Sequence, residues 1–231
     1  MKRLIRGKNF RRYLIDHCYP IAIDGSQKLA GDTLWTEELL QRTVGKDETR
    51  HTQYFVYVLE ASLAFHNGLV IPLLSEFLEQ ALGEPEAQKQ DCELRAFARL
   101  SERLKTCFPR LRILLLLDGL YSQNNVHERC NLGARQRWGI KAGFLVEKHQ
   151  GHHYEHAFAL DWNAMQDYHL LMRLAHVFNT LARFTRQLRD LYQQLGVRGA
   201  IAFIRSSCAA PWLDPARIRV LLAEPFLLQL E

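Results

Sequence analysis

The chain has 231 residues, 48% hydrophobic and 24% charged, which excludes global disorder and allows one sizeable core or two small ones. A formal net charge of +5 and a sequence pI near 9.0 favour polyanionic partners such as nucleic acid without excluding an ordinary basic protein. Five cysteines (Cys18, Cys92, Cys107, Cys130, Cys208), with no CxxC pair, indicate neither a disulfide framework nor a thiolate zinc site and fit a reducing cytoplasm.

The longest apolar run, residues 113–117, is far short of the ~20 residues of a membrane span, so no membrane partner is expected. The basic first segment, residues 1–13, lacks the apolar stretch of a secretory signal and reads as a short helix or arm. Residues 19–25 are apolar and end in Asp24-Gly25, the pattern of a buried strand delivering a carboxylate at its end. Residues 29–52 are polar and aperiodic and are expected to loop out. Two apolar runs, 53–65 and 69–77, flank His66-Asn67-Gly68 and predict an antiparallel hairpin.

Residues 88–108 place small or apolar side chains at Cys92, Ala96, Leu100, Leu104 and Cys107, with Pro109 beyond, and predict an amphipathic helix. Residues 112–117 then run apolar without alternation into Asp118-Gly119, which suggests a central strand covered on both faces. After Asp118 the signals are helical: 124–130, 135–150, 162–195, and shorter pieces broken by Pro211, Pro215 and Pro225. Within 162–195, Met165, Leu171, Leu174, Phe178, Leu181, Leu188 and Leu191 are expected on one broad face. Arg183, Arg186 and Arg189 are expected to form a separate basic stripe.

Two strands that each end in Asp-Gly would set Asp24 and Asp118 side by side if the strands are neighbours. Paired carboxylates of this kind hold two Mg²⁺ ions ~4 Å apart, which activate an attacking oxygen and stabilise the leaving oxygen of a phosphodiester. Asp-Gly also makes an ordinary turn after a strand, which is the better reading of either site taken alone; the conjunction of the two carries the metal-site reading.

Longer stretches carry a resemblance: residues 21–27 around Asp24, 57–61 and 67–79, 89–94, 114–121 around Asp118, Arg137-Trp138-Gly139-Ile140, and 163–172. The chain resembles the bacterial insertion-sequence transposases of the DDE type, in the group with a Tyr-Arg-Glu-Lys signature. The resemblance implies an α/β, ribonuclease-H-like core with a short mixed sheet and a largely helical C-terminal half. It implies DNA as partner, a possible homo-oligomer, a cytoplasmic or nucleoid-associated location, and Mg²⁺ or Mn²⁺ on the catalytic and metal-binding Asp24 and Asp118.

The family's third acid is expected between Arg137 and Lys148, which match its arginine and lysine and are the implied DNA-phosphate contacts. Lys141 stands where the glutamate should be, and Ala134 where the tyrosine should be. Positions 137, 141, 144 and 148 fall on one helical stripe, which supports this register. An ammonium cannot coordinate Mg²⁺. Glu147, six residues beyond Lys141, points to another face, and Glu128 and Glu155 are weaker substitutes. The spacing from Asp118 to Lys141 is 141 − 118 = 23 residues, so residues 1–195 read as a catalytic-type domain shortened between 119 and 136, followed by a helical tail over 196–231. The family's N-terminal DNA-binding region is expected to be missing.

His149, His152, His153 and His156 could bind a transition metal, but a loop packed on the core is the better reading, since Glu155-His156-Ala157 also matches the family. The arginine stripe and the N-terminal arm fit either phosphate contact or a solvated face. Trp138 is expected in the core rather than as a stacking platform.

Overall fold

The structure, a computed structural model, describes residues 1–79, 89–117, 130–156, 159–209 and 214–223. Its strands are β1 (Tyr19–Gly31), β2 (Leu40–Val44), β3 (His51–Ala64), β4 (Val70–Leu78) and β5 (Ile113–Leu116), and its helices α1 (Lys2–Arg6), α2 (Lys89–Cys107), α3 (Cys130–His149), α4 (Trp162–Arg183), α5 (Arg189–Ala209) and α6 (Pro215–Ala223). They form a mixed α/β fold around one five-stranded sheet.

The expected hairpin is present. β3 and β4 pair antiparallel from Ala64↔Val70 to Tyr57↔Leu78, and the Asn67 side chain accepts a hydrogen bond from the Leu69 N–H at 3.2 Å to close the turn. β3 also pairs antiparallel with β1, from Ile21↔Leu63 to Gly31↔Tyr54. β5 pairs parallel with β1, from Tyr19↔Ile113 to Ala22↔Leu116, and so needs the α2 crossover that precedes it. The amphipathic reading of α2 holds: Ala96, Leu100 and Leu104 are buried against the sheet.

Several expectations are corrected. Residues 29–52 do not simply loop out: β1 continues to Gly31, and Leu40–Val44 pairs with residues 51–55 of β3. Backbone pairing to an existing edge makes that strand without an apolar period. Among the described residues β5 is an edge strand paired with β1 alone, and Leu115 is 40% exposed, so its apolar run is not covered on both faces. The segment 162–195 is two helices. α4 stops at Arg183, so Arg183, Arg186 and Arg189 straddle a turn and form no single helical stripe.

The apolar face expected on α4 is split as well. Met165 is buried, whereas Leu170, Leu171, Leu174 and Phe178 are exposed. The side facing the sheet instead buries His169, Arg173 and His176, because that side meets charged partners.

The pleat sorts β1 and β3 into two faces. Ile21, Ile23, Leu59, Ala61 and Leu63 join Phe10, Tyr13 and α2 in the larger core. Ala22, Asp24 and Ser26 share the opposite face with Val58, Glu60 and Ser62, and α3 and α4 cover it. A bulge between Gln27 and Leu29 shifts the register there, so that Lys28 and Leu29 both reach this second layer.

α3 comes close to the sheet because Gly139 has no side chain: a Cβ there would lie 2.9 Å from Val70 Cγ2. At Gly143 the nearest atom would be His176 Cε1 at 3.4 Å, an ordinary contact. Gly139→Val is expected to destabilise by about 1–3 kcal/mol through overpacking. Gly143→Ala should be neutral or stabilising by up to ~1 kcal/mol, alanine being the better helix former. Chemical denaturation of the two variants checks this contrast.

Candidate functional site

Asp24 lies on the face covered by α3, its side chain 14% exposed. Its Oδ1 accepts the Gly25 N–H at 3.0 Å. Two cations from α3 approach the other oxygen: Arg137 Nη1 at 3.8 Å and Lys141 Nζ at 3.9 Å from Oδ2. The one-turn spacing of 137 and 141 brings both to the same carboxylate, as the stripe argument requires. Lys141 also lies over the Trp138 ring, 4.7 Å from its centroid, and Arg137 5.4 Å from it. Trp138 is 59% exposed, which corrects the core expectation: it belongs to the cationic surface.

Asp118 lies outside the described residues, as do Glu128 and most of the expected 124–130 helix. Lys148 is on α3 but far from Asp24, since eleven residues of helix separate it from Arg137 by roughly 16 Å. Its Nζ is 4.0 Å from Glu155 Oε1. The two implied DNA contacts therefore stand about three turns apart on one helix.

Sequence reasoning placed Glu147 away from Lys141, and the structure shows what it does there. It is completely buried in a charge cluster that the sequence reading missed. Lys28 Nζ is 2.6 Å from Glu60 Oε1 and 2.9 Å from Glu147 Oε2. Arg173 Nη1 bonds both carboxylates, reaching Glu147 Oε1 at 2.9 Å, while Glu60 Oε2 is its other acceptor. His176 Nδ1 is 2.8 Å from Glu147 Oε1.

Two lysine or arginine charges thus balance two carboxylates. Lys28 also sits between the Phe144 and Tyr154 rings, at 4.9 and 5.3 Å from their centroids. His169 spans Tyr154 Oη at 3.1 Å and Ser75 Oγ at 2.8 Å. The sequence signal for this cluster is a charge inside an apolar strand, Glu60 in β3, together with Arg173 and His176 one turn apart on α4.

Burial alone would raise the Glu147 carboxyl, but the Arg173 guanidinium, the Lys28 ammonium and His176 hold it well below the usual carboxylate range. Burial, then Lys28 and Arg173, pushes His169 well below the usual imidazole range. His152 is lowered as well, by burial and by the neighbouring His176.

Among the described residues no group of three or more His, Cys, Asp or Glu side chains is placed to hold a metal ion. At Asp24 the described residues do not fit Mg²⁺ or Mn²⁺, because the side chains converging on its Oδ2 are cations that repel a divalent ion. No helix of the described residues is long and apolar enough to cross a membrane. No family model, characterised protein or solved structure matches the chain.

The charge cluster makes two predictions. Arg173→Leu, which leaves two buried carboxylates short of a partner, should cost about 3–5 kcal/mol in denaturant unfolding. The second concerns acid. His169 is neutral when folded, whereas the unfolded chain gains a proton below ~6.5. Its contribution to stability is therefore complete above that pH and is lost as pH falls toward its depressed folded value. The slope is at most ~1.4 kcal/mol per pH unit for one such group. Glu147 adds a further loss beginning near ~4.3, its unfolded value, and running down through its depressed folded pKa. Calorimetric melting from pH 8 to 3 should show both limbs, and His169→Gln should flatten the one between pH 7 and 5.

Proposed function

We propose that this chain is a shortened, DDE-type transposase relative that holds DNA through phosphate contacts and has lost strand chemistry. The observation carrying this reading is the placement of Arg137 and Lys141 within 4 Å of Asp24 Oδ2. A metal-dependent strand transferase needs acids at that corner, where they bind divalent ions and orient water or a hydroxyl at the phosphodiester. Cations there neutralise the aspartate and turn the same surface toward phosphate.

Several observations support the ribonuclease-H-like part of the reading. β1, β3 and β4 pair antiparallel in that order, with the short β2 between the first two in sequence and also paired with β3, and α2 then leads to β5, which lies parallel to β1 on its other edge. The last registered pair of that parallel ladder is Ala22↔Leu116, and Asp24 and Asp118 each come two residues later in sequence. The net charge of +5 and the Arg137–Trp138–Lys141 surface favour DNA as the partner. A cytoplasmic, nucleoid-associated location goes with that partner. A homo-oligomer belongs to the same reading, and the exposed Leu170, Leu171, Leu174 and Phe178 of α4 are compatible with it.

Purified protein mixed with labelled duplex should bind without sequence preference, and the binding should decline steeply between about 50 and 200 mM salt as condensed counterions are released. No nicking is expected with Mg²⁺ or Mn²⁺. Lys141→Glu should weaken binding in metal-free buffer by removing one cation and adding one acid. Asp118-dependent nicking by the unaltered chain would show instead that another acid completes a working site. Unchanged binding by the Lys141→Glu variant would show that α3 does not face DNA.

A further inference from the structure

At the C-terminal end of α3, away from Asp24, three segments line an open cavity of 180 Å³ formed by Lys148, His149, His153, Glu155, His156 and Arg198. That is about six times the ~30 Å³ share of a liquid water, room for a tetrahedral oxyanion with part of its hydration. Lys148 and His149 end α3, His153 to His156 follow in the next turn, and Arg198 comes from α5.

The backbone is built to bring these groups together. His153 has a left-handed φ of 50°, uncommon for a residue with a side chain. The bonds on either side of it hold that conformation, with the Tyr154 N–H donating to the Glu147 carbonyl at 2.9 Å and the Glu155 N–H to the His153 carbonyl at 3.0 Å. Gly151, at φ 138°, has no room for a Cβ, which would lie 2.9 Å from Ile201 Cδ1. The turn is thereby packed on α5, the helix that carries Arg198.

His152, the fourth histidine of the run, turns inward to Asn179 and to the His176 ring and takes no part in the cavity. The lining holds two permanent cations and three imidazoles, each with an N–H to donate even when neutral, against one carboxylate. Glu155 lies 4.0 Å from Lys148 and 3.7 Å from His149, at the outer limit of ion pairing, so it holds both side chains loosely and leaves them able to exchange partners.

We infer that this cavity is a phosphate-binding site in which Arg198, Lys148 and the histidines take one phosphoryl group and Glu155 acts as an internal competitor. The inference deepens the DNA-binding reading and rests on it for the source of the phosphate, a backbone phosphodiester. It places two phosphate contacts along α3, one near Arg137 and one here at its C-terminal end.

The test is calorimetric titration of the full chain with inorganic pyrophosphate at low ionic strength, run beside a duplex-binding assay. Arg198→Ala removes an exposed side chain and should weaken pyrophosphate binding roughly tenfold, the loss of a charge-assisted contact. Glu155→Gln should tighten it, a gain that misfolding cannot produce. Equal affinity in the unaltered chain and both variants would overturn the site. Weaker duplex binding by Arg198→Ala supports DNA as the source. A duplex affinity untouched by either variant, with pyrophosphate binding still responsive, keeps the site but makes free phosphate its ligand. Failure of the DNA reading is a different result: no duplex binding by any form, with the pyrophosphate responses intact.

Discussion

Four buried charges govern this structure. Lys28 from β1, Glu60 from β3, Glu147 from α3 and Arg173 from α4 meet where the sheet and two helices join, with no exposed side chain among them. Each alone would carry a desolvation cost of several kcal/mol, and the cluster is tolerable because charge is balanced and each carboxylate oxygen lies against a cation. A helix carrying one of these groups has little freedom to rotate or slide, since any shift strands a charge in a dry layer.

That constraint reaches the surface through α3. With Glu147 held inside, the helix phase is set, and the stripe of Arg137 and Lys141 faces the middle of β1, where Asp24 lies. The approach is close because Gly139 lets the helix settle against Val70. The same phase sends Lys148 to the outer side near Glu155 and Arg198. One buried carboxylate thus positions two separate cationic regions roughly 16 Å apart along a single helix.

α4 illustrates how a charge cluster changes the meaning of a hydrophobic pattern. A helix covering a sheet ordinarily turns its leucines inward. Here the inward side carries Trp162, Met165, His169, Met172, Arg173 and His176, and the leucine-rich side is left to solvent. The polar inward residues are stable there because Ser75, Tyr154, Glu60 and Glu147 answer them across the interface. Conserving charge balance in that layer has taken precedence over burying the most apolar face.

The sequence by itself determined the local elements: the hairpin closed at Asn67-Gly68, the α2 helix before Pro109, the strand before Asp118, and the α3 stripe of 137, 141 and 148; the strand expected to end at Asp24 instead runs on to Gly31, because β3 continues to pair with it. These rest on turn chemistry and on periods of two and 3.6, which are properties of neighbouring residues. The same stripe predicted, correctly, that Glu147 would point away from Lys141. Only the tertiary structure decided the pairing of β2, the edge position of β5 among the described residues, the exposure of Trp138 and of the α4 leucines, and the meeting of Lys28, Glu60, Glu147 and Arg173. Those four are up to 145 residues apart, 173 − 28 = 145, and no periodicity links them. A buried charge is stable only beside its counter-charge, and which residue supplies that partner is settled when the chain closes in three dimensions.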